Sequence, residues 1–543
     1  MKRKAVAAVL TAVMVASMFT GCGSDKGSSS AKSTSAASAA NDTVDEDGKV
    51  NGIMYQEGLP LVDEGAYTFS IFCDDSSESG EFIMLDEFKK QTNVDVDLKI
   101  YPYETATERL NLDLNSGDYA DVIGGWTLSD NAILTYGVNQ GVFIPLEDYF
   151  EKYCPNISAI LDLPGVREKM TAPDGHIYTI PYVCADSTVG YSPYINTKWL
   201  ENVGMSMPTT TDEFEAVLKA FKEQDANGNG DASDEIPFST DPNNKHIEAM
   251  AGYFGLPMNK LGIAIQNEKV VYGGVSDTYR EFLSWFHKLY AEGLVDVELY
   301  TQDSSTWEGK GNQDLYGVSI AYGSGEFTGI PAAEERGDFD SMPVLNTDKD
   351  GIWLRDTEGF SVYRTQAVIT NKAEHPEIIC RWFDNAFALE NGIGCNRGPV
   401  GVIANKEDDG YHAIDTTTLS EEDQEKYSWG NLWPQSLPKY LPADFEFVEE
   451  HPMYDEKKAT EEAYEANLTK EIIPSYWIDL DKIDTFSDTN TAIKDFFEQQ
   501  QAQFVCGELD IDNDADWQAY VDGMYSLGLE DWVATQGIEE IAK

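Results

Sequence analysis

The sequence predicts an α/β protein built on mostly parallel sheets. Two observations carry the prediction. From Tyr67 onward, strand-like apolar runs alternate with amphipathic helical stretches, and successive runs are separated by helix-length segments rather than short turns. Strands joined in that way form right-handed βαβ units.

The elements follow in order. "YTFSIFC" reads as a strand, "GEFIMLDEFKKQT" as an amphipathic helix, and "VDVDLKIY" as a second strand. A helical "ETATERLNLDLNSG" then leads to a buried-looking "DVIGG" strand, with Trp126 directly after it. Ligands of such sheets sit beyond the carboxyl ends of the strands, where Trp126 would project. A third unit comprises "IYTIPYV", "SPYINTKWLENVG" and "MPTTTDEFEAVLKAFKEQD". Thr210 to Glu213 form a capping box, and Phe214, Val217, Leu218 and Phe221 follow at helical spacing. Later, "GFSVYRTQAVIT" reads as a strand and "HPEIICRWFDNAFALENGIG" as a helix stopped by glycines, with further helices around Ile493 to Val505 and Trp517 to Leu527.

The N-terminus is expected to be a targeting segment. Lys2, Arg3 and Lys4 precede an apolar run from Ala5 to Phe19 of about 15 residues, too short to span a bilayer as a helix. The Gly21-Cys22 junction resembles a bacterial lipobox, which implies cleavage after residue 21 and acylation of Cys22. Residues 22–50, rich in Ser and Ala, read as a flexible tether holding a soluble body off a membrane surface.

With 96 acidic and 38 basic residues the formal charge is −58, which excludes nucleic acid as a natural partner because its phosphates would be repelled. Six cysteines beyond Cys22 are widely spaced and lack a Cys-x-x-Cys pair, so neither a disulfide scaffold nor a zinc site is indicated.

One loop has metal-ligand spacing. In "DANGNGDASDE", Asp225, Asn227, Asn229 and Asp231 occupy positions 1, 3, 5 and 7 of a calcium loop, with Gly230 at the sharp turn. Position 12 is Ile236, so the bidentate carboxylate would come from Glu235 or a more distant acid. A structural Ca2+ is expected; a polar turn after a helix is the alternative.

Taken together, "SPYINTKWLENVGMSMPTTTDEFEAVLKAFKEQDANGNGDASDEIPFS", "NKAEHPEIICRWFDNAF" and "QFVCGELDIDNDADWQAYVDGMYSLGLEDW" resemble the extracellular solute-binding lipoproteins of ABC importers, family 1, associated with carbohydrate uptake. The resemblance implies a two-lobed periplasmic-binding-protein-like fold of type II with ligand held in an interlobe cleft. Residues 51–183 plus 360–402 would form the first lobe and 184–359 plus 403–543 the second, with a first crossing near Pro181 to Asp186. It further implies a monomeric, membrane-anchored receptor on the outer face of a bacterial cell membrane that delivers a carbohydrate to ABC permease subunits.

Sugar recognition needs flat apolar faces for C–H surfaces and hydrogen-bonding groups for hydroxyls. Trp126, Asp186, Tyr322 and Glu326 are the candidates placed by strand ends and the crossing. Trp307, Trp353, Trp429 and Trp433, in turn-rich segments, are candidate stacking platforms, packing beneath loops being the alternative. A peptide receptor of the same fold and a sensor feeding a membrane kinase are rival readings. A secreted glycoside hydrolase is a third, but nothing beyond an abundance of acids points to it. The six histidines are scattered and no Gly-x-Ser-x-Gly elbow occurs, so an enzyme is not expected and no catalytic cofactor is assigned.

Overall fold

The computed structural model describes residues 42–542 except 76–80, 242–245, 330–336, 415–417, 443, 444, 446 and 449–451. Expectations for the leader and for Cys22 lie outside the described residues. The last part of the expected tether does not: Tyr153 donates from its hydroxyl to Asp42 at 2.8 Å, and Val50 is buried in the first lobe's core. The folded body therefore includes residues before 51, because Asp42 and Val50 find partners there.

Two sheets organise the described residues. Their strands, in chain order, are β1 (Tyr67–Asp74), β2 (Val94–Tyr101), β3 (Val122–Gly124), β4 (Thr179–Ala185), β5 (Ser192–Asn196), β6 (Ile236–Thr240), β7 (Tyr316–Ala321), β8 (Phe339–Ser341) and β9 (Phe360–Ile369). The first sheet has the order β2-β1-β3-β9-β4 and the second β8-β5-β7-β6. β1 pairs in parallel with β2 and β3, as the βαβ reading predicts. β9 is antiparallel to both β3 and β4, because it enters the first sheet on its return from the second lobe. The sheets are therefore mixed rather than mostly parallel.

Helices α1 (Ile83–Thr92) and α2 (Tyr103–Ser116) form the crossovers of the first lobe. In the second lobe, α3 (Thr211–Glu223) starts at the expected cap, where the Thr210 hydroxyl accepts from the Glu213 N–H at 3.2 Å. The carboxylate of Glu213 reaches back to accept from Thr209, and Phe214, Val217, Leu218 and Phe221 are buried. Cap and apolar stripe thus agree on one helix and one face.

The chain passes between the lobes at Asp186 to Gly190, after β4, and again at Thr357 to Gly359, before β9. A later passage is made by α6 (Ile483–Cys506), which follows α4 (Pro376–Ala386) and α5 (Pro452–Tyr464). Ile483 lies in the cluster around Ile123 and Tyr178 of the first lobe, whereas Phe497 and Phe504 lie in the second lobe's core. The helix begins ten residues before the expected start, since Ile483 has its own apolar contacts.

The expected switch to the second lobe at residue 403 is displaced. Trp433 and Leu437 are buried in the first lobe's core, where Trp433 stacks on Trp382 of α4 at 5.7 Å. Trp433 and Leu437 remain with the first lobe because these apolar side chains complete the layer around α4. Replacing Trp433 by Ala should cost about 3–5 kcal/mol of stability, read as a lower urea midpoint at an unchanged slope.

Candidate functional site

The strand ends of the first sheet carry one cluster of candidate side chains. Asp74, at the end of β1, is fully buried, and its carboxylate accepts the Trp126 and Thr127 N–H groups at 2.9 and 2.6 Å. Gly125 makes this possible: its φ is +131°, and a Cβ there would meet Asp74 Oδ1 at 2.3 Å. The tight turn throws the Trp126 side chain outward, 44% exposed. Its ring stands edge-on to Tyr363 at 5.3 Å and to Tyr182 at 6.4 Å, and those two tyrosines stack at 5.5 Å.

Next to this aromatic group lies a buried lysine. Lys439 is 1% exposed, donates to Gln435 Oε1 at 2.8 Å, and sits 5.7 Å from the Tyr182 ring and 5.8 Å from that of Trp429. Trp429 itself is 56% exposed.

Asp186 ties the crossing strands to the second lobe. Its Oδ2 accepts the hydroxyls of Ser361 at 2.5 Å and Tyr363 at 3.1 Å, while Oδ1 accepts that of Tyr322 at 3.2 Å. Tyr322 follows β7, and its N–H donates to Glu326 Oε2 at 2.9 Å. Glu326 is exposed at its surface, yet the protein packed around it, with Asp241 and Glu308, pushes its carboxyl up to about 7. Tyr191 lies edge-on to Tyr322 at 6.1 Å and stacks on His246 at 4.0 Å. Burial holds His246 down to about 3, so it is neutral there.

The structure thus groups Trp126, Asp186, Tyr322, Glu326 and Trp429. Trp307, Trp353 and Trp433 stand apart from them in the cores. Trp307 is 3% exposed, packs on Phe327 and donates to Ser319 at 3.1 Å; Trp353 is 2% exposed, between Tyr253 and Tyr464. Trp433 is fully buried against Trp382. Sequence reading missed Tyr182, Tyr363, Tyr191 and Lys439. The signal for two of them was present, since "IPYVCAD" leads into the first crossing and "FSVYR" leaves the second.

The Asp225 loop closes on itself. Gly230 N–H donates to Asp225 Oδ2 at 3.0 Å, Asp231 N–H to Asn229 Oδ1 at 2.7 Å, and Ala226 N–H to Glu235 Oε1 at 2.9 Å. The second oxygens, Asp225 Oδ1 and Glu235 Oε2, are buried without a hydrogen-bond partner. Burial also raises the Glu235 carboxyl above its ordinary value. An all-oxygen donor set with two orphan carboxylate oxygens fits a hard cation such as Ca2+.

A family model described as bacterial extracellular solute-binding protein matches residues 76–392. The chain belongs to that family. It is 32% identical over 379 residues to the fructooligosaccharide ABC transporter substrate-binding protein FusA of Streptococcus pneumoniae, covering 67% of this chain and 68% of that protein. A solved structure of S. pneumoniae FusA in complex with kestose aligns with a TM-score of 0.76 at 26% identity, over 86% of this chain and 98% of that one. An EF-hand mutant of FusA in complex with fructo-nystose aligns at 0.73 and 27% identity, over 86% and 98%. The solved relatives share the two-lobed solute-binding architecture, and the second FusA structure shows that an EF-hand occurs within this group.

The buried lysine makes a pH prediction. Burial lowers Lys439 from 10.5 to about 8, a penalty on the order of 3 kcal/mol. Below pH 8 the folded protein carries the whole penalty. Between about 8 and 10.5 the folded lysine is neutral while the unfolded one still binds a proton, so its contribution to stability rises through that window. Lys439→Met should therefore melt higher than the parent protein at pH 7, with the gap narrowing towards pH 10; differential scanning calorimetry across that range checks it.

Proposed function

We propose that this solute-binding protein captures a neutral oligosaccharide between its lobes and delivers it to the permease of an ABC importer. The observation that carries the reading is the grouping of exposed Trp126 and Trp429 with Asp186, Tyr322 and Glu326 across the two lobes. Aromatic faces suit the C–H surfaces of sugar rings, and carboxylates and phenols suit their hydroxyls. Asp241 and Glu308 place negative charge beside Glu326 on the second lobe's side, which disfavours an anionic sugar. The fructooligosaccharide assignment of the S. pneumoniae relative supports this choice of ligand class.

Each lobe offers half of the contacts, so ligand gains the full set only when the lobes close, and binding shifts the population accordingly. The reading assigns binding, not catalysis, to the cleft carboxylates. The N-terminal segment and Cys22 supply the membrane anchor, and the relatedness to a B. subtilis lipoprotein, LipO, supports it, at 28% identity over 280 residues. Asp225, Asn227, Asn229, Asp231 and Glu235 would hold a structural Ca2+ that pins the end of α3 to the start of β6.

Trp126→Ala should weaken kestose binding by about tenfold to a hundredfold, as expected for loss of a stacking platform worth roughly 1.5–3 kcal/mol, with an unchanged melting temperature. Calorimetric titration checks it, and unchanged affinity would remove Trp126 from the site. Calcium should raise the melting temperature of chelator-treated protein, and Asp225→Ala should abolish the shift while leaving the cleft's aromatic fluorescence as it was.

A further inference from the structure

Helix α5 lies outside the ring of side chains that line the cleft, yet three successive contacts tie it to the two segments on which the cleft depends. Glu456 accepts from the Ser324 N–H at 2.8 Å and from the Ser324 hydroxyl at 2.7 Å, fixing the turn that carries Tyr322 and Glu326. One turn later, Glu461 Oε1 accepts from the Ser187 hydroxyl at 2.7 Å and the Thr188 N–H at 2.8 Å, fixing the first crossing directly after Asp186. Lys457 stands between them. Its Nζ donates to the carbonyls of Gly190 and Tyr322, the latter at 2.8 Å, and lies 4.0 Å from the centroid of the Tyr322 ring.

We propose that Lys457 is a positioning residue for ligand capture, which holds the Tyr322 turn and the Gly190 end of the first crossing together so that ligand contact at the turn and movement at the hinge occur as one event. The proposal rests on the reading of the cleft as the ligand site.

Among the described residues no carboxylate stands within ion-pair distance of the ammonium, so its charge is spent on two carbonyls and one aromatic face. Those three partners come from the two segments in question and from nowhere else. A cation is required, because only a cationic side chain combines donors to both carbonyls with attraction to the ring. Burial pushes Lys457 down to about 8, against the pull of Asp356, Glu461, Glu326 and Asp186, so it remains charged at neutral pH. The same Tyr322 donates to Asp186, which closes a loop of contacts from helix to ring to crossing and back to the helix through Glu461. A simple strap would join one segment to a helix; this arrangement joins two segments to each other.

The test compares the full chain with Lys457→Met and Lys457→Arg by amide hydrogen exchange without ligand, followed by titration with kestose. In Lys457→Met, exchange should speed up about tenfold in both 187–191 and 322–326, the loss of one charge-assisted hydrogen bond to each segment, while β6 and α3 keep their protection. Lys457→Arg should restore most of the protection, since it keeps the cation. Loosening of one segment alone, loosening spread across the whole lobe, or no rescue by arginine would overturn the proposal. Kestose affinity should fall at least fivefold in Lys457→Met, and equal affinity would overturn the functional part. Failure of kestose to bind the parent protein would count against the ligand class instead, and the exchange experiment would still decide the positioning role.

Discussion

The Asp186 carboxylate is the constraint on which the rest of the site depends. It stands where the chain leaves the first sheet, and it accepts hydroxyl hydrogen bonds from both sides of the hinge: Ser361 and Tyr363 on the returning strand, and Tyr322 on the second lobe. Tyr363 in turn backs Trp126, so the position of the exposed indole is set through the same carboxylate. Hydrogen bonds to a charged acceptor are worth about 1.5–3 kcal/mol each when buried. Breaking one of the three would disturb an aromatic wall, a crossing strand and the opposite lobe together.

Around that hub the two lobes divide their work. The first contributes aromatic surface, with Trp126, Tyr182, Tyr363 and Trp429 arranged near a lysine that is sunk beneath them rather than offered to solvent. The second contributes hydrogen-bonding groups around Tyr322 and Glu326, with Asp241 and Glu308 nearby. Both cations near the cleft, Lys439 and Lys457, are committed to protein oxygens and rings. The proposed ligand, neutral with apolar ring faces and many hydroxyls, would satisfy both walls at once.

Much of the fold was legible because local signals were redundant. The Thr210 cap, the apolar stripe of α3 and the parallel pairing of β1, β2 and β3 each follow from spacing alone. The outward position of Trp126 and the place of Asp186 at the first crossing were legible for a related reason, since both follow strand ends. Tryptophan in a turn-rich segment was a poorer guide: Trp307, Trp353 and Trp433 each bury an indole against another aromatic ring, and periodicity says nothing of what lies beneath a loop. The second lobe's boundary was misplaced for the same reason, because Trp433 and Leu437 belong to a core assembled from segments far apart in sequence. Lys439 and Lys457 were invisible, since a buried lysine in sequence looks like any surface lysine.

We propose above that the residues around Trp126, Asp186 and Tyr322 select a neutral oligosaccharide. A thermal-shift screen of the soluble body against neutral oligosaccharides, uronic-acid oligosaccharides and short peptides tests it most directly. A ligand at 100 times its dissociation constant adds about 2.7 kcal/mol of stability, well within detection. A rise in melting temperature with neutral oligosaccharides and none with uronates or peptides is the predicted result, whereas a rise with peptides alone would contradict the assignment.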